Sequence, residues 1–205
     1  LEDYKSHNAA AREALLKAEV FVLTLGVNEV WKLRSDGSTF SRSPWRLSPT
    51  LVEQHVMSVD ENVHELEEML RVWRRYNPNI KLIISLSPVP LHATFRGDTH
   101  HVVTANSHSK ATLRLAAEKF CQRNDNVFYF PSYEVVTACT PQPWEGDQRH
   151  VSRLAVGRVM ELFAGMFIEK ESTLSEETAK IKTAIDSAIE AEDTAELLFW
   201  TRKRF

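Results

Sequence analysis

The chain is short of the residues that mark several protein classes. It has two cysteines, Cys121 and Cys139, in 205 residues. That is too few for a disulfide framework, and their spacing is not of a metal-binding type. Both fit a reducing setting, and the cytoplasm is the expected location. No apolar run approaches the roughly 20 residues of a membrane helix, and no signal-peptide pattern is visible, so no membrane partner is expected. Neither sign of charge dominates: 25 Lys and Arg against 28 Asp and Glu leave a net charge of −3. This gives no electrostatic ground for nucleic-acid binding. Internal repeats and low-complexity tracts are also missing, which leaves a globular domain long enough to bury a sizeable core.

What is there is an alternation of short apolar runs with amphipathic stretches. Residues 1–17 read as a helix. Val20 to Leu25 is a run of apolar and β-branched residues, short enough for a strand buried on both faces. Gly26 ends it, where glycine would allow a sharp turn and close approach to a ligand. Asn28 then falls just past the strand's C-terminal end, where open α/β sheets place their ligand crevice. Residues 32–46 carry the turn signals Asp36-Gly37 and Ser43-Pro44 and read as a loop, with a short hairpin as the alternative. Ser48-Pro49 reads as the start of a short helical piece reaching Met57.

Ser58 and Glu61 form a capping-box pair ahead of Val63, Leu66, Leu70 and Trp73, which share one helical face. Asn77-Pro78 ends that helix. A second strand covers Ile80 to Leu86, followed by Ser87-Pro88-Val89-Pro90. Leu91 to His108 reads as a long excursion, of a length often found to be functional. Ser109 is expected to cap the next helix, with Leu113, Ala116, Ala117 and Phe120 inward. A third strand follows at Val127 to Phe130. Thr140 to Gly146 is a proline-rich loop leading to Asp147-Gln148-Arg149-His150, and Ser152 caps a last helix with Leu154, Val159, Leu162, Phe163 and Met166 inward. This order predicts βαβ units with helices on both sides of a parallel sheet, an α/β/α three-layer sandwich over residues 1–170. Residues 171–205 are charged and helix-prone and read as a helical C-terminal extension.

Chemistry concentrates at few positions. Asp147 and His150 stand three apart just before a helix, so the carboxylate could hold the imidazole in one tautomer and leave its other nitrogen as a base. Asn28 could donate its amide hydrogens to a developing oxyanion. A base, its orienting acid and a helper donor suggest acyl transfer, but no serine lies in a Gly-x-Ser-x-Gly setting. Ser87 precedes prolines that favour a structural turn. Arg96, Ser109 and Lys110 could form an anion-binding, substrate-contacting patch at a helix N-terminus. His100, His101 and His108 lack acidic or cysteine partners at metal-type spacing, so no metal is expected, and nothing points to a cofactor.

Four segments carry a family resemblance: Phe21 to Gly26 with Glu29 and Trp31; Ser87 to Leu91 with Thr94; Ser109-Lys110 with Leu113-Arg114; and Tyr129-Phe130-Pro131-Ser132-Tyr133-Glu134. Over roughly residues 10 to 168 the chain resembles the GSCFA domain family of the SGNH (GDSL-like) hydrolase superfamily. The resemblance implies an SGNH-like fold in which Gly26 and Asn28 supply oxyanion donors and Asp147 and His150 the acid and base. It implies an esterase or acyltransferase working on an ester or acyl group, with a glycan among the candidate carriers. The family's Gly-Ser-Cys-Phe-Ala motif, with its serine or cysteine nucleophile, is absent. The chain therefore resembles the C-terminal two-thirds of the domain, to be completed by an N-terminal segment or a second polypeptide. The other reading is a non-catalytic binding or scaffolding module that keeps the fold.

Overall fold

The computed structural model describes residues 2–40, 43–44 and 46–168, with residues 2–6 described by backbone alone. The extension expected at 171–205 lies outside the described residues. The described chain divides into two units. Residues 1–86 and 90–130 form the first, and residues 87–89 together with those from Pro131 onward form the second.

The first unit opens with helix α1 (Glu2–Lys17) and strand β1 (Val20–Leu25). Strands β5 (Lys81–Leu86) and β6 (Val127–Phe130) complete a parallel sheet in the order β1-β5-β6. Parallel neighbours need crossovers, and helices supply them. Helix α2 (Val59–Tyr76) leads into β5, and α3 (Val102–Arg123) joins β5 to β6. The expected α/β class with a parallel sheet is what the structure has.

The core follows from strand periodicity. Alternate residues Leu82 and Ile84 of β5 meet Leu66 and Leu70 of α2, Ala117 and Phe120 of α3, and Val127 of β6. Phe21, Leu23 and Leu25 of β1 pack against the same cluster from the sheet's edge. The capping box is present: Ser58 Oγ accepts the Glu61 N–H, and the Glu61 carboxylate accepts the Ser58 N–H. Asn77 closes α2 and also donates from Nδ2 to the carbonyls of Leu15 and Ala18, at 3.2 and 2.7 Å, tying α1 to that corner.

Four expectations change. β1 is not buried on both faces: Val20 and Val22 are 45% and 49% exposed, because among the described residues β1 has a strand on one side only and its alternate residues alone reach the core. Residues 29–56 hold a second, antiparallel sheet, ordered β3-β2-β4, made of β2 (Glu29–Leu33), β3 (Thr39–Phe40) and β4 (Val52–Val56). The stretch read as helical before Met57 is thus a strand, pairing Val52 with Leu33 and Val56 with Glu29. The β2–β3 turn uses Gly37 at φ 74°, with Asp36 Oδ1 accepting the Ser38 N–H. Finally, α3 begins at Val102, capped by His101 Nδ1, so Ser109 lies inside the helix rather than at its start.

The second unit contains helices α4 (Ser132–Ala138) and α5 (Arg153–Phe167), packed on each other. Ser152 caps α5 as expected, accepting the Ala155 N–H. The expected inward face of α5 shifts: Ala155 and Arg158 are its buried residues and Met166 is 49% exposed. Arg158 Nη1 reaches the Cys139 carbonyl at 3.4 Å, which places the buried side along that stripe. No helix among the described residues is long and apolar enough to cross a membrane.

Candidate active site

Between α4 and α5 the chain forms a loop held like a hairpin. Trp144 and Val151 make an antiparallel bridge. The Glu145 N–H donates to the His150 carbonyl at 2.8 Å and the Ser152 N–H to the Pro143 carbonyl at 2.8 Å. At the tip, Asp147 gathers three donors. Its Oδ1 accepts the backbone N–H groups of Arg149 and His150, each at 3.0 Å, and its Oδ2 meets His150 Nδ1. These bonds hold the Asp147 carboxyl down at about 2, the His150 N–H first, then the Arg149 N–H, then the imidazole. A carboxylate that stays ionised can only accept, so the proton of this contact sits on Nδ1. The His150 side chain is 75% exposed, and among the described residues nothing engages its Nε2. The predicted pairing of Asp147 with His150 is therefore formed, with Nε2 open.

The first unit holds the other expected site residues, in a buried setting. Asn28 has no exposed surface. Its N–H donates to Ser109 Oγ at 2.9 Å, its Nδ2 donates to the Met57 carbonyl at 3.1 Å, and the Met57 N–H returns a bond to the Asn28 carbonyl. Among the described residues Asn28 Oδ1 finds no partner. Lys110, 2% exposed, donates from Nζ to the Gly26 carbonyl at 2.9 Å, and burial pushes its amine down to about 8. Gly26 takes no positive φ, and a Cβ there would meet nothing within 4 Å. The turn after β1 therefore does not depend on glycine. Arg96 is committed to Glu29, Nε to Oε1 at 3.2 Å. The patch expected of Arg96, Ser109 and Lys110 is thus not at a helix N-terminus: Ser109 and Lys110 are one turn and more inside α3, facing the end of β1.

A model of the GSCFA family matches residues 1–163. The chain belongs to the GSCFA family. No curated protein matches it. In this GSCFA chain the motif residues turn out to be one another's partners. Thr94 Oγ1 donates to Glu29 Oε1 at 2.7 Å, and the Phe95 N–H donates to Glu29 Oε2. The Trp31 ring meets Phe95 edge-on with centroids 6.0 Å apart, and the Arg114 guanidinium lies 4.0 Å over the Tyr129 ring. Ser87 Oγ accepts the Val89 N–H at 3.2 Å, a turn contact. Among the described residues no group of three or more His, Cys, Asp or Glu side chains could hold a metal ion.

Sequence reasoning missed two features. One is the role of Glu29 as anchor of the 94–96 segment, whose partners lie 65 to 67 residues away. The other is a hollow of about 290 Å³ lined by Gln142, Pro143, Trp144, Glu145, Gly146 and Gln148, in the same loop as the dyad. The run Gln-Pro-Trp-Glu-Gly was visible, but its aromatic was read as part of a loop.

Proposed function

We propose that this GSCFA chain carries the acid–base half of an SGNH-type acyl hydrolase or acyltransferase. The observation that supports it is the dyad: Asp147 grips His150 through Nδ1, so the imidazole presents Nε2 with a lone pair outward. That is the arrangement a general base needs. In this reading a serine or cysteine outside these 205 residues attacks an acyl carbon. Its proton passes to His150 Nε2, and the imidazolium returns it to the departing alkoxide. Water or an acceptor hydroxyl then repeats the sequence to release the acyl group. On the family resemblance alone, the Gly26 N–H and the Asn28 side-chain amide are the proposed oxyanion donors. The partners are an acyl or ester substrate and the polypeptide that brings the nucleophile. Free Cys121 and Cys139 fit a reducing compartment, so the cytoplasm is the proposed location.

The test is hydrolysis of p-nitrophenyl acetate by the complete protein, wild type against His150→Ala, with melting curves alongside. Retained activity in the variant overturns the dyad. A second measurement needs no activity: the ¹⁵N shifts of His150 should report the Nδ1–H tautomer, and Asp147→Asn should redistribute it. One observation favours the non-catalytic reading, namely the complete burial of Asn28, which leaves an oxyanion no surface to approach. A protein inert toward acyl esters whose Asn28→Ala variant merely melts earlier would support that reading.

A further inference from the structure

Three features of the structure lie outside the dyad. The Arg71–Arg74–Arg75 groove on α2 is lined by guanidiniums of which Arg71 is already paired with Glu68 and Arg74 with the Asp125 carbonyl. The exposed face of β1 has nothing that says what covers it. The hollow beside the dyad carries more.

We propose that this hollow is a sugar-binding subsite, taking one neutral pyranose ring against the Trp144 indole. Backbone conformation points there first. Among the described residues three that are not glycine have positive φ: Asn126 at 59°, Gln142 at 44° and Gln148 at 56°. Asparagine tolerates that region because its short side chain bonds locally, but glutamine does not. Each such residue costs on the order of 1–3 kcal/mol and persists where the surroundings enforce it, often at ligand clamps. Both glutamines line this one hollow. Glycine at either place would fold more easily, and Gly146, which lies between them, does not take the left-handed turn. The chain keeps two amide side chains where the backbone would prefer none.

Those side chains are also uncommitted. Among the described residues the Gln142 and Gln148 amides, the Glu145 carboxylate and the Trp144 indole N–H make no hydrogen bond. The lining of the hollow thus combines spare donors and acceptors with a half-buried aromatic residue. A pyranose matches that pattern, with apolar C–H faces for the electron-rich ring and a rim of hydroxyls that both donate and accept. The volume of about 290 Å³ lies just under the roughly 300–1,000 Å³ of small-molecule sites, which suits one ring rather than a chain of them. Glu145 is the one charged residue in the lining, so phosphorylated or uronic sugars are disfavoured. The site deepens the acyl-transfer reading by naming the carrier of the acyl group. It rests on that reading for the reaction but not for the binding.

The experiment separates the two. The complete protein is titrated with a panel of neutral methyl glycosides (gluco, galacto, manno and N-acetylglucosamine) and followed by ¹H–¹⁵N spectra. Binding should move the Trp144 indole N–H and the two glutamine amides saturably at millimolar concentration. In kinetics, Trp144→Ala should lower kcat/KM for an acetylated methyl glycoside about tenfold more than for p-nitrophenyl acetate, as loss of an aromatic contact predicts. Because Trp144→Ala could disturb the loop, Gln148→Gly is the second variant. It should raise the melting temperature while weakening glycoside binding, since it relieves the backbone and removes an amide. Absence of any saturable shift up to about 100 mM, well past the range of weak ligands, overturns the sugar site even if His150→Ala abolishes esterase activity. Glycoside binding with full activity in His150→Ala upholds the site and overturns the base.

Discussion

The end of β1 and the loop before α5 hold similar numbers of polar side chains in opposite settings. Around β1, Asn28, Ser109, Lys110, Glu29 and Arg96 are withdrawn from water and bond chiefly to backbone or to one another. In the loop, Asp147 and His150 bond to each other but remain open to solvent. A buried polar group must be satisfied or the fold loses the whole desolvation cost. A reacting base must keep one atom reachable and unspent. The first region is built as a polar core whose atoms without a partner among the described residues, Asn28 Oδ1 and Arg96 Nη2, are buried, and the second holds its spare atom in solvent. Chemical type alone does not separate a catalytic residue from a structural one. What separates them is which atoms are left over.

Substitutions can break this contrast. The largest expected effect is on rate. His150→Ala should lower esterase turnover by about a hundredfold to ten-thousandfold with little change in melting, because an exposed loop imidazole contributes little to the core. Steady-state kinetics paired with calorimetry checks both halves. Next comes Glu29→Ala, which should destabilise by roughly 3–5 kcal/mol in urea unfolding, since it strands the Arg96 guanidinium and frees Thr94 and the Phe95 N–H. A loss under 1 kcal/mol would mean the network is ornamental.

Asn28→Ala sharpens the comparison from the other side. As a side-chain tie to the Met57 carbonyl it should cost about 1–3 kcal/mol of stability, and as an oxyanion donor on the order of 3 kcal/mol of transition-state stabilisation. Measuring kcat at a temperature where the variant is fully folded tells the two apart. The smallest effect concerns pH. Lys110 is pushed from an ordinary 10.5 to about 8 by burial, so the folded state favours the neutral amine. Its contribution is complete above 10.5 and is lost as pH falls through about 8, so stability should rise with pH across that window. In Lys110→Met that rise should flatten, as melting temperatures at several pH values would show.

The sequence disclosed some elements better than others, for physical reasons. β5 was legible because a strand buried on both faces is a short continuous apolar run, and β6 because all four of its residues are β-branched or aromatic. α2 was legible because its capping box and apolar stripe agree. β4 was not, since Val52-Glu53-Gln54-His55-Val56 has apolar residues only at its ends, and its pairing with β2 is what makes it a strand. α3 was started too late because its first turn carries no conventional cap residue and histidine takes that place. At the site, Asp147-x-x-His150 was readable because its geometry is local. The commitments of Asn28 and Lys110 were not, because their partners lie 29 and 84 residues away.

The β1 edge has a practical consequence at the bench. Val22, Ile83 and Phe128 stand side by side in the register of the sheet, and the outer two are 49% and 47% exposed. A strand that among the described residues is paired on one side only, with valines facing out, is a template for neighbouring chains in concentrated solution. Preparations of residues 1–205 should therefore cloud first at high protein and high salt. A lysine in place of Val22 would act as a gatekeeper and lengthen storage life without touching the face that Phe21 and Leu23 turn to the core.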